Sequence, residues 1–171
     1  MAMLTINKYG NPILREKADP VEKITNKELD LIDNMIETMI KAEAIGLAAN
    51  QIGIPKSIAV INFSFFNEQL HPQALLNIEL IDSKGSLIFE EGCLSIPGIK
   101  EDIERSEFIK ISYMDVFGET KILECEGLLS RVILHELDHL QGILFVDRLP
   151  PLKRKLLSSK LKKIKKGIKI T

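Results

Sequence analysis

The chain has 171 residues, 45% of them hydrophobic and 27% charged, with a formal net charge of −1. That balance excludes a disordered or fibrous chain and suits one globular domain with a sizeable core, spanning residues 1–171. No apolar run reaches the roughly 18 residues of a membrane helix, and Met1-Ala2-Met3-Leu4-Thr5 does not start a signal peptide, so a soluble, cytoplasmic protein is expected.

Residues 4–20 read as irregular, with turns at Gly10-Asn11-Pro12 and Asp19-Pro20. Thr25-Asn26-Lys27-Glu28 has the form of a capping box, and Leu29, Ile32, Ile36, Met39 and Ile40 follow at helical spacing, which predicts a helix over 26–43 with that stripe facing the core. Gly46 ends the helix and opens a small, apolar loop from Leu47 to Pro55. Strand-like runs follow at 57–62, 75–81, 86–90, 107–115 and 120–126, the last two joined through Val116-Phe117-Gly118-Glu119 as a hairpin. Phe63-Ser64-Phe65-Phe66 reads as a loop packed onto the core.

A helix that is apolar around much of its circumference comes next, carrying Leu128, Leu129, Val132, Ile133 and Leu140 and stopped by Gly142. After Pro150-Pro151 a last helix is expected over 152–166, with Leu152, Leu156, Leu157, Leu161 and Ile164 as one stripe. Strands first and a helix afterwards point to an α+β fold rather than an alternating parallel one. The expected architecture is antiparallel strands packed around a central metal-binding H-E-x-x-H helix, with a basic C-terminal helix and tail over 148–171.

The near-zero net charge hides a polarity. From Arg148 onward there are ten Lys or Arg and no acid, so residues 1–147 hold the other 13 bases against all 24 acids, a net of −11. The basic segment has three readings: a solvated helix packed on the body, a surface for RNA phosphates, or one for an anionic membrane.

Chemistry concentrates in His135-Glu136-Leu137-Asp138-His139. Helical positions four apart share a face, so His135 and His139 can hold one divalent ion while Glu136 borders it. Such an ion acidifies a water, and the carboxylate takes its proton as the water attacks a carbonyl. Two histidines and two acids in a buried helix are costly unless paired or metal-bound, which favours a metal over a chance match.

A catalytic ion needs a third protein ligand. The position six residues past His139 is Phe145, and no acid follows Asp147, so the ligand is expected upstream, with Asp147 an outsider. Cys93 is the strongest candidate, because Gly92, Pro97 and Gly98 around it suggest an irregular turn able to aim a thiolate. Cys125 alternates with Leu123 as a core thiol does, and His71 precedes Pro72 in a polar loop as a surface residue does. One cysteine on metal and one in the core fit a reducing compartment.

Three stretches in this order, Ile45-Gly46-Leu47-Ala48-Ala49-Asn50-Gln51, Glu91-Gly92-Cys93-Leu94-Ser95 and His135-Glu136-Leu137-Asp138-His139-Leu140-Gln141-Gly142, resemble the peptide deformylases over nearly the whole chain. Ala44 stands where that family usually has Gly, and Leu134 where many members have Gln. The resemblance implies removal of the N-formyl group from formyl-methionine of new polypeptides, with Cys93, His135 and His139 on the metal and Glu136 as general base. It also implies Gln51 and the Leu94 backbone N–H as donors to the developing oxyanion. The implied native metal is Fe(II), with Zn(II) or Ni(II) as substitutes, and the implied partner of the basic C-terminal helix is the ribosome. From motif neighbourhood, Ile88, Leu128 and Val132 are expected to line a methionine pocket, with Gly46 and Gly92 making room for substrate backbone. A zinc peptidase, and an RNA- or ribosome-binding protein with a structural metal, are the competing readings.

Overall fold

A computed structural model describes residues 3–170. Met1 and Ala2, at the start of the segment that does not read as a signal peptide, and Thr171 of the basic tail lie outside the described residues. Helix α1 (Asn26–Lys41) starts at the expected capping box: the Thr25 backbone N–H donates to Glu28 Oε2 at 2.9 Å, and the Thr25 hydroxyl accepts from Lys27 N–H at 3.3 Å.

Strands β1 (Gly46–Ala48), β2 (Ile58–Ile61), β3 (Gln73–Lys84), β6 (Phe108–Met114) and β7 (Thr120–Glu126) form an antiparallel sheet in the order β1-β2-β3-β6-β7. Strands β4 (Leu87–Cys93) and β5 (Ile96–Arg105) form a separate antiparallel pair. Strand β2 is buried along its whole length because both faces of the large sheet are covered. Ile58 and Val60 face α1 beside Met35 and Met39, while Ala59 and Ile61 face α2 (Gly127–Leu140) beside Ile133 and Leu140, as the two-residue period requires. Helix α2 is held on its other side by the β4–β5 pair, where Arg131 Nη1 donates to the Ile103 carbonyl at 2.8 Å and Nη2 to the Leu87 carbonyl at 2.5 Å.

Several expectations change. Strand β5 was not expected at all; Pro97, Gly98 and the acidic run after Lys100 look like a solvated loop, yet Ile96, Ile99 and Ile103 are buried against Phe145, Leu157 and Leu161. The loop expected over 47–55 begins as β1, whose small residues pair with β2, and continues as a 3-10 turn over Ala49–Ile52. The expected loop at Phe63–Phe66 contains a short 3-10 turn over Phe63–Phe65, with Phe63 buried and Phe65 exposed. The last helix is two, α3 (Pro151–Leu156) and α4 (Ser158–Lys165), and its stripe divides: Leu157, Leu161 and Ile164 are buried, while Leu152 and Leu156 are more than two-thirds exposed. Arg154 reaches Asp147 at 2.8 Å and Lys153 reaches Glu101 at 3.6 Å, so part of the basic segment docks on the acidic body. Among the described residues, no helix is long and apolar enough to cross a membrane.

Candidate active site

Helix α2 carries His135, Glu136 and His139 on its inner side, and its end is fixed by Gly142. That residue adopts φ +73, and a side chain there would strike the Arg15 backbone. The irregular end of β4 brings Cys93 opposite. Cys93 Sγ lies 3.3 Å from His139 Nε2, His139 Nε2 lies 3.2 Å from His135 Nε2, and the three ligand atoms all fall within 4.8 Å of one another. One thiolate and two imidazole nitrogens converging at this distance form a donor set suited to a single divalent transition metal.

Between themselves, the thiol and imidazoles polarise one another. Burial would push the Cys93 thiol up, but His139 and His135 beside it outweigh burial and hold it well below its usual range. Burial disfavours a charged His135, yet Cys93 and Glu91 more than compensate and raise it. Glu136 is buried, and that burial lifts its carboxyl above the ordinary carboxylate range even with both histidines opposing. Among the described residues its Oε2 has no hydrogen-bond partner, as befits a base awaiting a proton.

Gln51 is fixed in one orientation. Its Oε1 accepts from the Ala48 N–H at 3.0 Å, which turns the amide NH₂ toward Ser95 Oγ at 3.1 Å and Cys93 Sγ at 3.6 Å. The Ser95 backbone N–H points to the same sulfur at 3.4 Å. Gly46 is required by proximity: a Cβ there would sit 2.5 Å from Glu136 Oε1.

A cavity of about 610 Å³ opens over these groups, lined by Gly46, Gln51, Gly92, Leu94, Leu128 and Val132 together with Cys93, His135 and Glu136. Its volume is of the size that takes a small ligand or a few peptide residues. Of the expected pocket residues, Leu128, Val132, Gly46 and Gly92 line it. Ile88 does not: it sits on β4, is 63% exposed, and is absent from the lining; it shares a strand face with Glu90 and Gly92, which do line the cavity, but lies farther along the strand from Cys93. His71 is exposed, and Asp147 is engaged by Arg15 and Arg154 rather than by the histidines.

Sequence reasoning missed the charged groups behind the histidines. Glu91 accepts from His135 Nδ1 at 2.8 Å and is itself bound by Arg105 and Arg131. Asp138 is bound by Arg105 and Arg148. The available signal was the presence of Arg131 and Asp138 on an otherwise apolar helix, where unpaired charge is too costly to persist.

The comparisons with known proteins agree with this geometry. The family model described as polypeptide deformylase matches residues 3–155. The chain is 44% identical to a peptide deformylase of Helicobacter pylori (strain P12) over 169 residues, covering 97% of both chains. It is 43% identical to one from Thermodesulfovibrio yellowstonii over 162 residues, 95% of this chain and 98% of that one. Among solved structures, a peptide deformylase from Legionella pneumophila superposes with a TM-score of 0.89 at 38% identity, covering 97% of each chain.

Proposed function

The chain belongs to the polypeptide deformylase family, whose members remove the N-formyl group from nascent polypeptides with a single catalytic metal ion, and we propose how its own residues divide that work. Cys93, His135 and His139 hold the ion, and the whole chain acts as one catalytic domain. The observation carrying this reading is the convergence of that thiol and two imidazoles, within 4.8 Å, on a cavity that Glu136 also lines. The metal, when bound, supplies Lewis acidity that brings a water's pKa toward neutrality.

Glu136 accepts the water's proton as its oxygen attacks the formyl carbon, then delivers that proton to the departing N-terminal amine, leaving formate. The raised Glu136 carboxyl suits both halves of this exchange. As the formyl carbon becomes tetrahedral, negative charge grows on its oxygen, and the Gln51 amide and the Leu94 backbone N–H stabilise it. Ala48 fixes the carbonyl end of the Gln51 amide, and its NH₂, which rests on Ser95 Oγ and Cys93 Sγ, turns one N–H from these partners to the oxyanion. Gly46 and Gly92 let the peptide backbone approach, and Leu128 and Val132 bound the pocket for the methionine side chain.

The metal is Fe(II) in the cell, with Zn(II) or Ni(II) able to replace it, and the protein works in the cytoplasm. The thiolate makes the iron form sensitive to air, so activity undiminished after prolonged air exposure contradicts iron. The exposed Lys155, Lys160, Lys162, Lys163 and Lys166 support docking on the ribosome, and that binding weakens steeply with salt.

The deciding experiment follows formate from a formyl-Met dipeptide beside cleavage of the same peptide unformylated. Formate release with no cleavage of the unformylated peptide is expected. Cleavage of internal bonds without a formyl requirement would instead establish a peptidase.

A further inference from the structure

The two histidines are supported unequally. Glu91 takes three contacts from the Arg105 and Arg131 guanidiniums, so its oxygens act as acceptors and His135 Nδ1 donates to Oε1 at 2.8 Å. In the neutral ring a metal requires, that leaves Nε2 of His135 with its lone pair toward the site. His139 Nδ1, by contrast, is buried without a hydrogen-bond partner among the described residues. Orientation imposed from outside the donor set therefore acts mainly on His135.

Behind Glu91 the charges continue outward in an unbroken chain. Arg105 binds it with two nitrogens, Nε to Oε2 at 2.7 Å and Nη2 to Oε1 at 2.9 Å, and Arg131 Nη1 adds a contact to Oε2 at 2.6 Å. Arg105 turns its remaining nitrogen, Nη1, to Asp138 Oδ2 at 2.7 Å. Arg148 then clamps both Asp138 oxygens, Nε and Nη2 each at 2.6 Å. The Glu91, Arg105 and Asp138 side chains are 3–9% exposed, whereas that of Arg148 is 43% exposed. The chain thus runs from a surface guanidinium, where the basic C-terminal segment begins, to an imidazole of the site.

We propose that Asp138 and Arg148 are positioning residues which, through Arg105 and Glu91, fix the orientation of His135 and so set how firmly the metal is retained. The proposal rests on the metal site inferred above. Asp138 shares α2 with both histidines but faces away from the ion, and its work is to hold Arg105. Without its charge, one end of a buried guanidinium loses its acceptor, and Glu91 is no longer gripped in a single geometry. Arg148 keeps Asp138 in place from the outside, which ties the base of the C-terminal segment to the ligand set without any contact with substrate.

The test loads the full chain with Co(II) and follows both its loss to a chelator and its visible spectrum, for the parent, Asp138→Asn, Arg148→Ala and Arg154→Ala. The last variant removes a C-terminal ion pair of similar exposure, to Asp147, that lies outside the chain of contacts. Asp138→Asn and Arg148→Ala should lose metal about 10- to 100-fold faster with an altered cobalt spectrum, and formate release should recover in excess metal. Arg154→Ala should match the parent in both readouts. Metal loss within twofold of the parent in the first two variants overturns the proposal. So does an equal acceleration in Arg154→Ala, which would mean that loosening the C-terminal segment is the whole effect. If Asp138→Asn fails to fold, Arg148→Ala decides alone, since its side chain is 43% exposed. A parent that holds no cobalt overturns the relay together with the metal site, whereas one that holds cobalt yet releases no formate overturns only the activity.

Discussion

Cys93 and Cys125 are the chain's two cysteines, and their surroundings have opposite effects. Cys93 ends β4 facing two imidazoles, the Ser95 N–H and the Gln51 amide, and its thiol is held well below the ordinary range despite burial. Cys125 lies on β7 against the apolar residues between the large sheet and α2, where nothing opposes burial, and its thiol is pushed up to about 11. Burial acts on both in the same direction. What separates a metal-binding thiolate from an inert core thiol is the presence of partners for the charged form.

The largest effect should come from removing the first thiol. Cys93→Ala is expected to abolish tight metal retention and, with it, formate release, as metal analysis beside a formate assay would register; retention equal to the parent would remove Cys93 from the ligand set. Gln51→Leu sharpens the contrast by deleting an N–H aimed at the same sulfur. It should lower formate release about 100- to 1000-fold in kcat while leaving the metal bound. A loss confined to KM would show that Gln51 serves binding alone.

Reactivity gives a subtler check. With the metal removed, iodoacetamide at pH 8 should modify Cys93 first, because a thiol raised to about 11 is almost wholly protonated there. Modification of Cys125 should accelerate as pH climbs toward 11 or as the protein unfolds, and peptide mass spectrometry would distinguish the two sites. Equal rates at pH 8 would contradict the contrast. Far from either cysteine, Thr25→Ala should cost only about 1 kcal/mol by chemical denaturation, through loss of the α1 cap, with formate release unchanged.

The same contrast explains what the sequence could show. His135, Glu136 and His139 were legible because helical spacing alone places them together, and the Gly-rich setting of Cys93 marked it apart from Cys125, whose alternation with Leu123 belongs to a strand. The pairing of Thr25 with Glu28 was legible because both groups are local. Arg105, by contrast, meets Glu91 and Asp138 only because β5 pairs with β4, and β5 is masked by Pro97, Gly98 and its exposed acids. Ile88 is misplaced for a related reason: nearness to Cys93 in sequence does not show how far along β4 the cavity reaches. The break at Leu157 arises where α3 gives way to α4, and there hydrophobic spacing across residues 152–164 joins side chains that the fold separates.

Everything proposed for this site depends on the thiol and two histidines holding a metal for which Glu136 is the working base. The most direct test is formate release from a formyl-Met dipeptide by metal-loaded protein and by Glu136→Gln, with metal content measured in both. Equal metal content and a fall in formate release of about 100- to 10,000-fold in the variant are expected. Release at the parental rate from a metal-loaded Glu136→Gln would contradict that role.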